Sequence, residues 1–388
     1  MPNARQSFSI ALAATRIFEG TRTSYILNPA GPATRVALIG PGRLDGTTYV
    51  APKRVSSIQT AAIVAARPRS TAAITITIAP YPAHDQRLVA VASYDAGIAL
   101  HRRGGLQLEG VVPIPEGVAD VAYDSATRTI FAIAARGSKL YALSRDTWKL
   151  RTTDGIALGN ELAVDPHSGA VFVSNRDVGG NGALTRIIGG KVQRVVTGKT
   201  AEGLALDAVH HRIYVGNVND DTIAELDTRT LARLRTFKTV TRPFGIALDA
   251  ARGRLFVVSN EPQRSQTTAP SVVAIDLHPA VPRATAHSAH FTFPLGAAYD
   301  AQRDRLFVTD EGAGKVYVLS GATLAAVHAP LHTCSVPWRP MVDVKLRRLY
   351  VPCARAGTLA AYDLDSLQAL PGTPAATGGY PLAVSSLD

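Results

Sequence analysis

A short phrase recurs along this chain, and its spacing constrains the fold more than any other feature. Each copy has an aspartate, a short polar turn, and then a small or basic residue that leads into a run such as Ile-Tyr-Val or Leu-Phe-Val. The copies begin at Asp124, Asp165, Asp207, Asp249, Asp300 and Asp343, which lie 41, 42, 42, 51 and 43 residues apart. A period of this size indicates a repeat architecture, in which each unit buries its apolar faces against its neighbours.

Residues 201–238 show what one unit contains. Four short segments, at 203–207, 212–216, 222–227 and 231–237, have the composition or the alternation of β-strands, and polar turns separate them. Four short strands with turn signals between them predict one antiparallel meander. Copies of such a sheet bury both faces when they stack radially, so the sequence predicts an all-β propeller of four-stranded blades.

The repeat also resembles a known family. The segments Pro-Phe-Gly-Ile-Ala-Leu-Asp at 243–249, Leu-Phe-Val-Val-Ser-Asn at 255–260 and Val-Val-Ala-Ile-Asp at 272–276 are similar to the YVTN-type β-propeller repeat. The similarity extends over about residues 117–365. It implies the propeller fold and, because members of the family are often exported, an extracytoplasmic location. It implies little about activity, since one fold carries many functions.

Further strand-like segments lie outside the clear repeats. Residues 74–78 and 87–91 resemble the first and second strands of one unit, and residues 35–39, 47–50 and 58–65 resemble the later strands of another. Residues 380–385 resemble a first strand that has no following strands. We therefore predict eight blades, with the C-terminal strand pairing with the N-terminal blade to close the ring.

This interpretation treats residues 1–388 as a single propeller domain with repeats over 34–388, and it leaves residues 1–33 only weakly assigned. Seven blades is the alternative. In a seven-bladed ring most of residues 1–73 would be an appendage to the ring.

Apolar runs and cysteines indicate where in or outside the cell the protein is located. No apolar run approaches the length of a membrane span. Residues 7–13 faintly resemble a signal peptide, so we expect a periplasmic or secreted protein, with the cytoplasm as the alternative. Cys334 precedes the first strand of its unit and Cys353 ends the second strand, so a disulfide can form in an oxidising compartment, and two free thiols are the alternative.

The chain carries 41 basic and 30 acidic residues, a formal charge of +11. The turns between first and second strands contain Arg87, Arg128, His210, His211, Arg212, Arg252, Arg254, Arg303, Arg305, Lys345, Arg347 and Arg348. These turns share one rim of a propeller, so the sequence predicts a basic face that binds a polyanion. Ion pairs with the repeat aspartates are the alternative. No groove-reading helix supports sequence-specific nucleic-acid binding.

The opposite rim is formed by the loops that lead into the first strands and those that leave the second strands. Tyr94, Asp95, Asn160 and Phe293 lie in these loops. Aromatic residues and charges of both signs converge there, which favours a ligand site at the channel mouth. The candidate residues are Glu161, Asn175, Arg176, Glu202, Asn217, Arg242, Phe244, Asn260, Glu261, Asp310, Trp338, Arg339 and Tyr380.

Three functions compete for this rim. The first is a monomeric binding protein without chemistry, whose ligand is a small molecule or another protein. The second is a lactonase-like hydrolase, in which Glu161, Glu202, Asn217, Asn260 and Asp310 supply oxygen ligands to calcium. The third is a lyase with His290 or Glu311 as its base. We favour the binding protein, with the calcium-dependent hydrolase as the alternative.

Overall fold

The aspartates of the repeat hold the turns that they begin. The carboxylate Oδ1 of each of the six accepts a backbone N–H two or three residues on, at 2.9–3.3 Å. The turn then passes through a residue with φ between 50° and 68° in every copy, among them Arg128, His211 and Arg347. Asp therefore recurs because one short side chain stabilises a hairpin turn that strains the backbone.

The computed structural model describes residues 8–29, 35–178, 180–260 and 269–387. Within them, seven sheets of four antiparallel strands surround a central axis. From the axis outward, the strands of blade 1 are Pro381–Ser386, Leu88–Ser93, Gly97–Arg102 and Leu108–Pro113. No helix in these residues is long and apolar enough to cross a membrane.

The other six blades each follow the chain from the axis outward. Blade 2 is Val118–Asp124, Thr129–Ala134, Lys139–Ser144 and Leu150–Asp154. Blade 3 is Gly159–Val164, Val171–Val178, Asn181–Ile188 and Lys191–Gly198. Blade 4 is Ala201–Asp207, Arg212–Asn217, Thr222–Asp227 and Arg233–Lys238. Blade 5 is Pro243–Asp249, Arg254–Ser259, Ser271–Asp276 and Arg283–Ala289. Blade 6 is Pro294–Asp300, Arg305–Asp310, Lys315–Ser320 and Ala326–His332. Blade 7 is Met341–Asp343, Arg348–Cys353, Thr358–Asp363 and Ala375–Ala376. A 3₁₀ turn, Ala250–Arg252, follows the first strand of blade 5.

The C-terminal strand closes the ring, but in a different blade from the one that we predicted. Pro381–Ser386 pairs with Leu88–Ser93 and not with Arg35–Ile39. The innermost strands of the seven blades contact one another in an unbroken circle, from blade 1 round to blade 7. The prediction of an eighth blade is therefore wrong, and the repeats of the ring begin at residue 88 rather than at residue 34.

The N-terminal residues form an extension outside the ring. Arg16–Phe18 adds to the outer edge of blade 1, followed by Ser70–Ala79, Gln59–Arg67 and Arg35–Ile39, so that this sheet has eight strands. A second sheet is ordered Ser9–Leu12, Arg22–Asn28, Thr48–Val50 and Arg43–Asp45. One apolar cluster joins Tyr49, Ile63 and Ile76 of the extension to Val91 of blade 1 and Tyr350 of blade 7.

Three stacked aromatic rings fix the extension to the ring. The Tyr81 ring lies between Phe18 and Trp148, at centroid distances of 4.5 and 5.0 Å and interplanar angles of 14° and 9°. Trp148, in blade 2, also donates its indole N–H to the carbonyl of Pro82. The stack thus joins the extension, the connection into blade 1, and blade 2.

Arginines bridge all seven interfaces between neighbouring blades. Their guanidinium groups donate to backbone carbonyls, or to aspartates, of the next blade in the ring. The bridges are Arg145 to Leu387, Arg194 to Gly155, Arg186 to Thr228, Arg235 to Leu277, Arg254 to Asp304, Arg303 to Asp365 and Arg348 to Arg103. Much of the basic excess therefore has a structural role.

Arginines in the turns between first and second strands also form ion pairs. Arg128 pairs with Asp146, Arg252 with Asp249, and Arg347 with Asp365. Arg212 approaches both Glu225 and Asp227. Ion pairs with the repeat aspartates, which we gave as the alternative to polyanion binding, are present in blades 5 and 6, where Arg252 and Arg254 pair with Asp249 and Arg303 with Asp300. In the turns of Arg128, Arg212 and Arg347, the arginines pair with other carboxylates.

We expect Tyr81→Ala to destabilise the protein by about 3 kcal/mol, because it removes the central ring of the stack and leaves a cavity. Urea denaturation followed by Trp fluorescence measures the change. Limited proteolysis should then cleave within residues 8–79 before it cleaves the ring. Tyr81→Phe keeps the stack and should match the native protein; equal sensitivity of both variants would show that the stack does not hold the extension.

Candidate functional site

A β-bulge at the same position in the innermost strands builds the channel mouth. The register shifts between Val118 and Asp120 in blade 2, between Pro243 and Gly245 in blade 5, and at the matching points of blades 1, 3, 4 and 6. In blade 7, Trp338 and Arg339 lie between the Pro337–Cys353 bridge and the first paired residue, Met341. A bulge interrupts the alternation of a strand and re-aims its side chains.

Two rings of seven residues follow from these bulges. The outer ring consists of Leu382, Ala119, Asn160, Glu202, Phe244, Leu295 and Trp338. The inner ring, one residue deeper, consists of Ala383, Asp120, Glu161, Gly203, Gly245, Gly296 and Arg339. A Cβ at Gly203 or Gly245 would lie 2.2 Å from a carbonyl oxygen of the next blade, so these positions require glycine.

A cavity of about 490 Å³ opens at the mouth over blades 7, 1, 2 and 3. Its lining is Tyr94, Asp95, Ala119, Ala135, Gly159, Asn160, Arg176, Trp338, Arg339, Tyr380 and Leu382. The small residues Ala119, Ala135 and Gly159 leave the space that larger residues fill elsewhere on the rim. A concave site with aromatic walls and a few polar groups is typical of ligand binding.

The aromatic walls of the cavity are held from behind. Trp338 packs with Phe244, Phe293 and Leu295 on one side of the mouth. Tyr94 and Tyr380 meet edge to face at 6.4 Å, and the guanidinium of Arg136 covers the Tyr94 ring at 4.8 Å. The walls are therefore largely formed before any ligand binds, which lowers the entropic cost of binding.

Arg339 crosses the channel beneath the cavity. Its Nη1 donates to the carbonyl oxygens of Asn160 and Ala119, in blades 3 and 2, at 3.0 and 3.3 Å. Its Nε lies 2.8 Å from Oε1 of Glu161, and only 13% of each side chain is exposed. One side chain from blade 7 thus ties together the far side of the mouth and separates the cavity from the channel below.

The carboxylates of the inner ring serve the neighbouring blade. Asp120 accepts from the backbone N–H of Leu162, and Glu161 accepts from that of Leu204, each at 2.8 Å. Leu162 and Leu204 directly follow the bulges of their own strands. A buried N–H without a partner is costly, so each carboxylate satisfies a group that the next bulge sets free.

Burial raises the pKa of Glu161 to about 7. Arg339 limits the rise, whereas Asp120 and Glu202 add to it. Burial also raises the pKa of Asp120 and of Glu202, against the opposing effects of Arg339 and Arg176. Desolvation therefore outweighs the ion pairs around the channel, as is common for buried carboxylates.

Three buried donors in the lining residues, Nδ2 of Asn160, Nε1 of Trp338 and Nε of Arg339, have no hydrogen-bond partner in the described part of the chain. The ion pair of Arg339 with Glu161 compensates its Nε, so the donors of Asn160 and Trp338 are the two that lack any polar partner. Asn160 itself is 3% exposed. An unsatisfied buried donor costs about 1–3 kcal/mol, so the cavity favours a ligand with acceptor atoms.

A disulfide braces the loop that carries Trp338 and Arg339. Cys334 and Cys353 are bonded, with their Cα atoms 5.8 Å apart. Close to the disulfide, the Ala354 N–H donates to the carbonyl of Val336, and the Trp338 N–H donates to that of Pro352. The crosslink and these two hydrogen bonds tie the loop to the end of the second strand of blade 7.

The predicted site residues divide into lining and supporting groups. Arg176, Trp338, Arg339 and Tyr380 line the cavity, whereas Phe244 packs behind Trp338. Asn175 is fully buried and bonds to Ala157 and Thr185 within its own blade. Glu261 lies outside the described residues. Ala119, Ala135, Gly159 and Leu382 were missed, because small or aliphatic residues carry no chemical signal; their place in the bulged repeat is the signal that could have found them.

The five residues predicted to hold calcium have other partners. Glu161 pairs with Arg339, Glu202 with Arg176, and Asn260 accepts from Arg242. Asp310 accepts three backbone N–H groups, from Thr292, Phe293 and Ala313. Asn217 donates to Thr197 and Thr222. Among the described residues, no group of three or more His, Cys, Asp or Glu side chains could hold a metal ion.

No protein-family model matches this sequence, and no curated protein matches it either. The fold is similar to solved β-propellers. A putative 6-phosphogluconolactonase from Bacteroides uniformis aligns with a TM-score of 0.65 and 11% identity, over 78% of this chain and 99% of that one. A Bacteroides fragilis protein with the same description aligns at 0.63 and 10% identity, over 79% and 100%.

A third solved structure has a similar fold. The Cps50 (Swd1) β-propeller domain from Myceliophteria thermophila aligns with a TM-score of 0.59 and 11% identity, over 71% of this chain and 93% of that one. At these identities the similarity shows the fold alone. The likeness to the YVTN-type repeat remains a resemblance, because no family model supports it.

The raised pKa of Glu161 predicts that stability falls as pH rises. The carboxyl binds its proton more tightly in the folded state, with a pKa of about 7 against 4.5, so the folded state is favoured below pH 4.5 and loses this advantage as pH rises through 7. The loss from this one group is about 3 kcal/mol. Urea denaturation at pH 5 and pH 8 should show a smaller loss of stability in Glu161→Gln than in the native protein. The same pH dependence in both would exclude Glu161 as the cause.

Proposed function

We propose that this protein is a binding protein that holds a small molecule in the cavity at the channel mouth. The observation that supports the proposal is the cavity of about 490 Å³, with walls of Trp338, Tyr94 and Tyr380 and with two unpartnered donors. The lining comes from four blades and is held by the Arg339 crossing, so it requires the closed ring.

The alternative, a calcium-dependent hydrolase, has weaker support. Two solved propellers of similar fold are described as putative 6-phosphogluconolactonases. In this chain, however, four of the five residues proposed to bind the metal hold a neighbouring arginine or the backbone through their side-chain oxygens, and Asn217 binds two threonines through its amide nitrogen. A metal would have to displace the partners of those four side-chain oxygens, whereas Oδ1 of Asn217 has no hydrogen-bond partner in the described part of the chain. Buried carboxylates that lose their partners are costly.

We also propose that the protein works in an oxidising compartment, outside the cytoplasm. The disulfide between Cys334 and Cys353 supports this location, because cytosolic thiols are kept reduced. The apolar run at residues 7–13 adds no support, because residues 9–12 form a paired strand of the extension, whereas a signal peptide is removed on export.

Blocking the cavity should abolish binding without unfolding the protein. Ala119→Phe places at the blade 2 bulge the residue type that blade 5 carries at Phe244, so the substitution is compatible with the repeat. In a screen of small ring compounds by ligand-observed NMR, we expect binding to the native protein that weakens at least tenfold in this variant. Ala329→Phe, at an exposed position on the outermost strand of blade 6, is the control and should bind normally. Compounds that bind both variants equally well would place the site elsewhere.

Loss of the disulfide should weaken both stability and binding. The crosslink spans 19 residues, which corresponds to about 3 kcal/mol. We expect dithiothreitol to lower the midpoint temperature of unfolding. It should also weaken the binding of the compounds found in the screen about three- to tenfold, because the loop with Trp338 loses preorganisation. The chain has two cysteines in all, so a Cys334→Ala, Cys353→Ala double variant should behave like the reduced protein, and dithiothreitol should not change its stability or its affinity. Unchanged affinity after reduction would show that the loop does not need the brace.

A further inference from the structure

The charges around the mouth cavity leave no surplus that could hold an ionic ligand. Those that line the cavity, or interact with a lining side chain, comprise four cations and five anions among the described residues. They are Arg136, Arg176, Arg339 and Arg355, and Asp95, Asp120, Glu161, Glu202 and Glu311. The formal sum of these nine charges is minus one.

The three charged side chains that line the cavity, those of Asp95, Arg176 and Arg339, already have partners. Arg176 holds Glu202 at 2.8 Å, and Arg339 holds Glu161 at 2.8 Å. Asp95 accepts from the Tyr380 N–H at 2.7 Å and from the Ser93 hydroxyl at 3.0 Å. An anion would compete with Glu161 and Glu202 for the two arginines and would gain little. A cation would find the face of Tyr94 occupied by Arg136.

The donors in the cavity that lack partners require a hydrogen-bond acceptor from the ligand. Asn160 Nδ2 and Trp338 Nε1 are both donors, and both are buried from bulk water. A group that reaches them must penetrate between the lining side chains, so it has to be small. A carbonyl oxygen is a small acceptor that carries no hydrogen of its own, and its two lone pairs can accept from either donor.

The remaining walls select for a ring. Trp338, Tyr94 and Tyr380 supply flat apolar surface, and Leu382 lies between them in the lining. Aromatic rings stack or meet edge to face with such walls at centroid distances of 4.5–7 Å, and the enclosed volume of about 490 Å³ admits a single ring with a substituent.

We propose that the mouth cavity binds an uncharged, planar ring compound whose carbonyl oxygen accepts hydrogen bonds from Asn160 and Trp338. This inference rests on the proposed binding function and narrows it to one chemical class. Asn160 and Trp338 then determine specificity, Arg339 and the Cys334–Cys353 disulfide position them, and the Arg176–Glu202 pair excludes charged analogues.

Three pyridines of nearly equal size separate the contributions of the carbonyl and of charge. Nicotinamide is a neutral ring with a carbonyl, nicotinate is its anionic counterpart, and 3-pyridylmethanol is neutral but has no carbonyl. The chain has two tryptophans, so Trp148→Phe leaves Trp338 as the only indole and keeps an aromatic ring in the stack beside Tyr81. Quenching of Trp338 fluorescence then reports binding of each compound at the cavity.

All three compounds share the ring nitrogen, so they differ only in the substituent. We expect nicotinamide to bind at least tenfold more tightly than nicotinate or 3-pyridylmethanol at pH 7.5, because nicotinate adds an uncompensated charge and the hydroxyl oxygen of 3-pyridylmethanol is a weaker acceptor than an amide carbonyl. Asn160→Leu, in the same background, removes one donor at similar volume. It should lower the affinity for nicotinamide about tenfold and leave that for 3-pyridylmethanol nearly unchanged. Circular dichroism of the variant checks that the propeller is intact.

The possible failures are distinct. Equal affinity for all three pyridines, or tighter binding of nicotinate, overturns the ligand class. If Ala119→Phe still abolishes that binding, the cavity remains a binding site and the proposed function stands. Absence of nicotinamide binding overturns the class as well. Failure of the wider screen to give any compound sensitive to Ala119→Phe overturns the proposed function itself.

Discussion

The pairing of Pro381–Ser386 with Leu88–Ser93 is the interaction on which the rest of the structure depends. The innermost strand of blade 1 is residues 381–386 and its other strands come from residues 88–113, so the ring cannot close until residues 381–386 have been made. The same pairing brings Tyr380 and Leu382 against Tyr94 and Asp95. The mouth cavity therefore forms at the closure itself, and a chain that lacks its last strand would lose the site as well as the ring.

The repeats could be predicted because their signals are local. The Asp turn, the apolar strand and the return strand all lie within about 42 residues, and the backbone hydrogen bonds that Oδ1 of Asp207 and of its counterparts accept stay inside one turn. Residues 35–39 and 70–79 have the same strand-like composition, and nothing local distinguishes a blade from an added sheet. Their place is decided by tertiary contacts, such as the stack of Phe18, Tyr81 and Trp148, and strand propensity is known to yield to such contacts.

The candidate site could be predicted in part, for a related reason. The loops placed Trp338, Arg339, Tyr380 and Arg176 at the mouth, since any propeller gathers these loops on one rim. The sequence could not show which backbone groups the bulges set free. Glu161 was therefore interpreted as a metal ligand, although its carboxylate takes the N–H of Leu204 and the guanidinium of Arg339. The cavity is off the axis because Ala119 and Gly159 are small, which only the aligned bulges make visible.

The basic excess of the chain and the neutrality of its cavity have one physical origin. Arginine reaches further than any other cation and donates in a planar fork, so it can bridge blades whose backbones do not pair. Seven arginines do so between neighbouring blades, and Arg339 does so across the channel. A guanidinium used in this way is no longer available to a ligand. In the binding function that we propose, recognition at the mouth is left to groups that carry no charge, namely the indole N–H of Trp338, the amide of Asn160 and the aromatic walls.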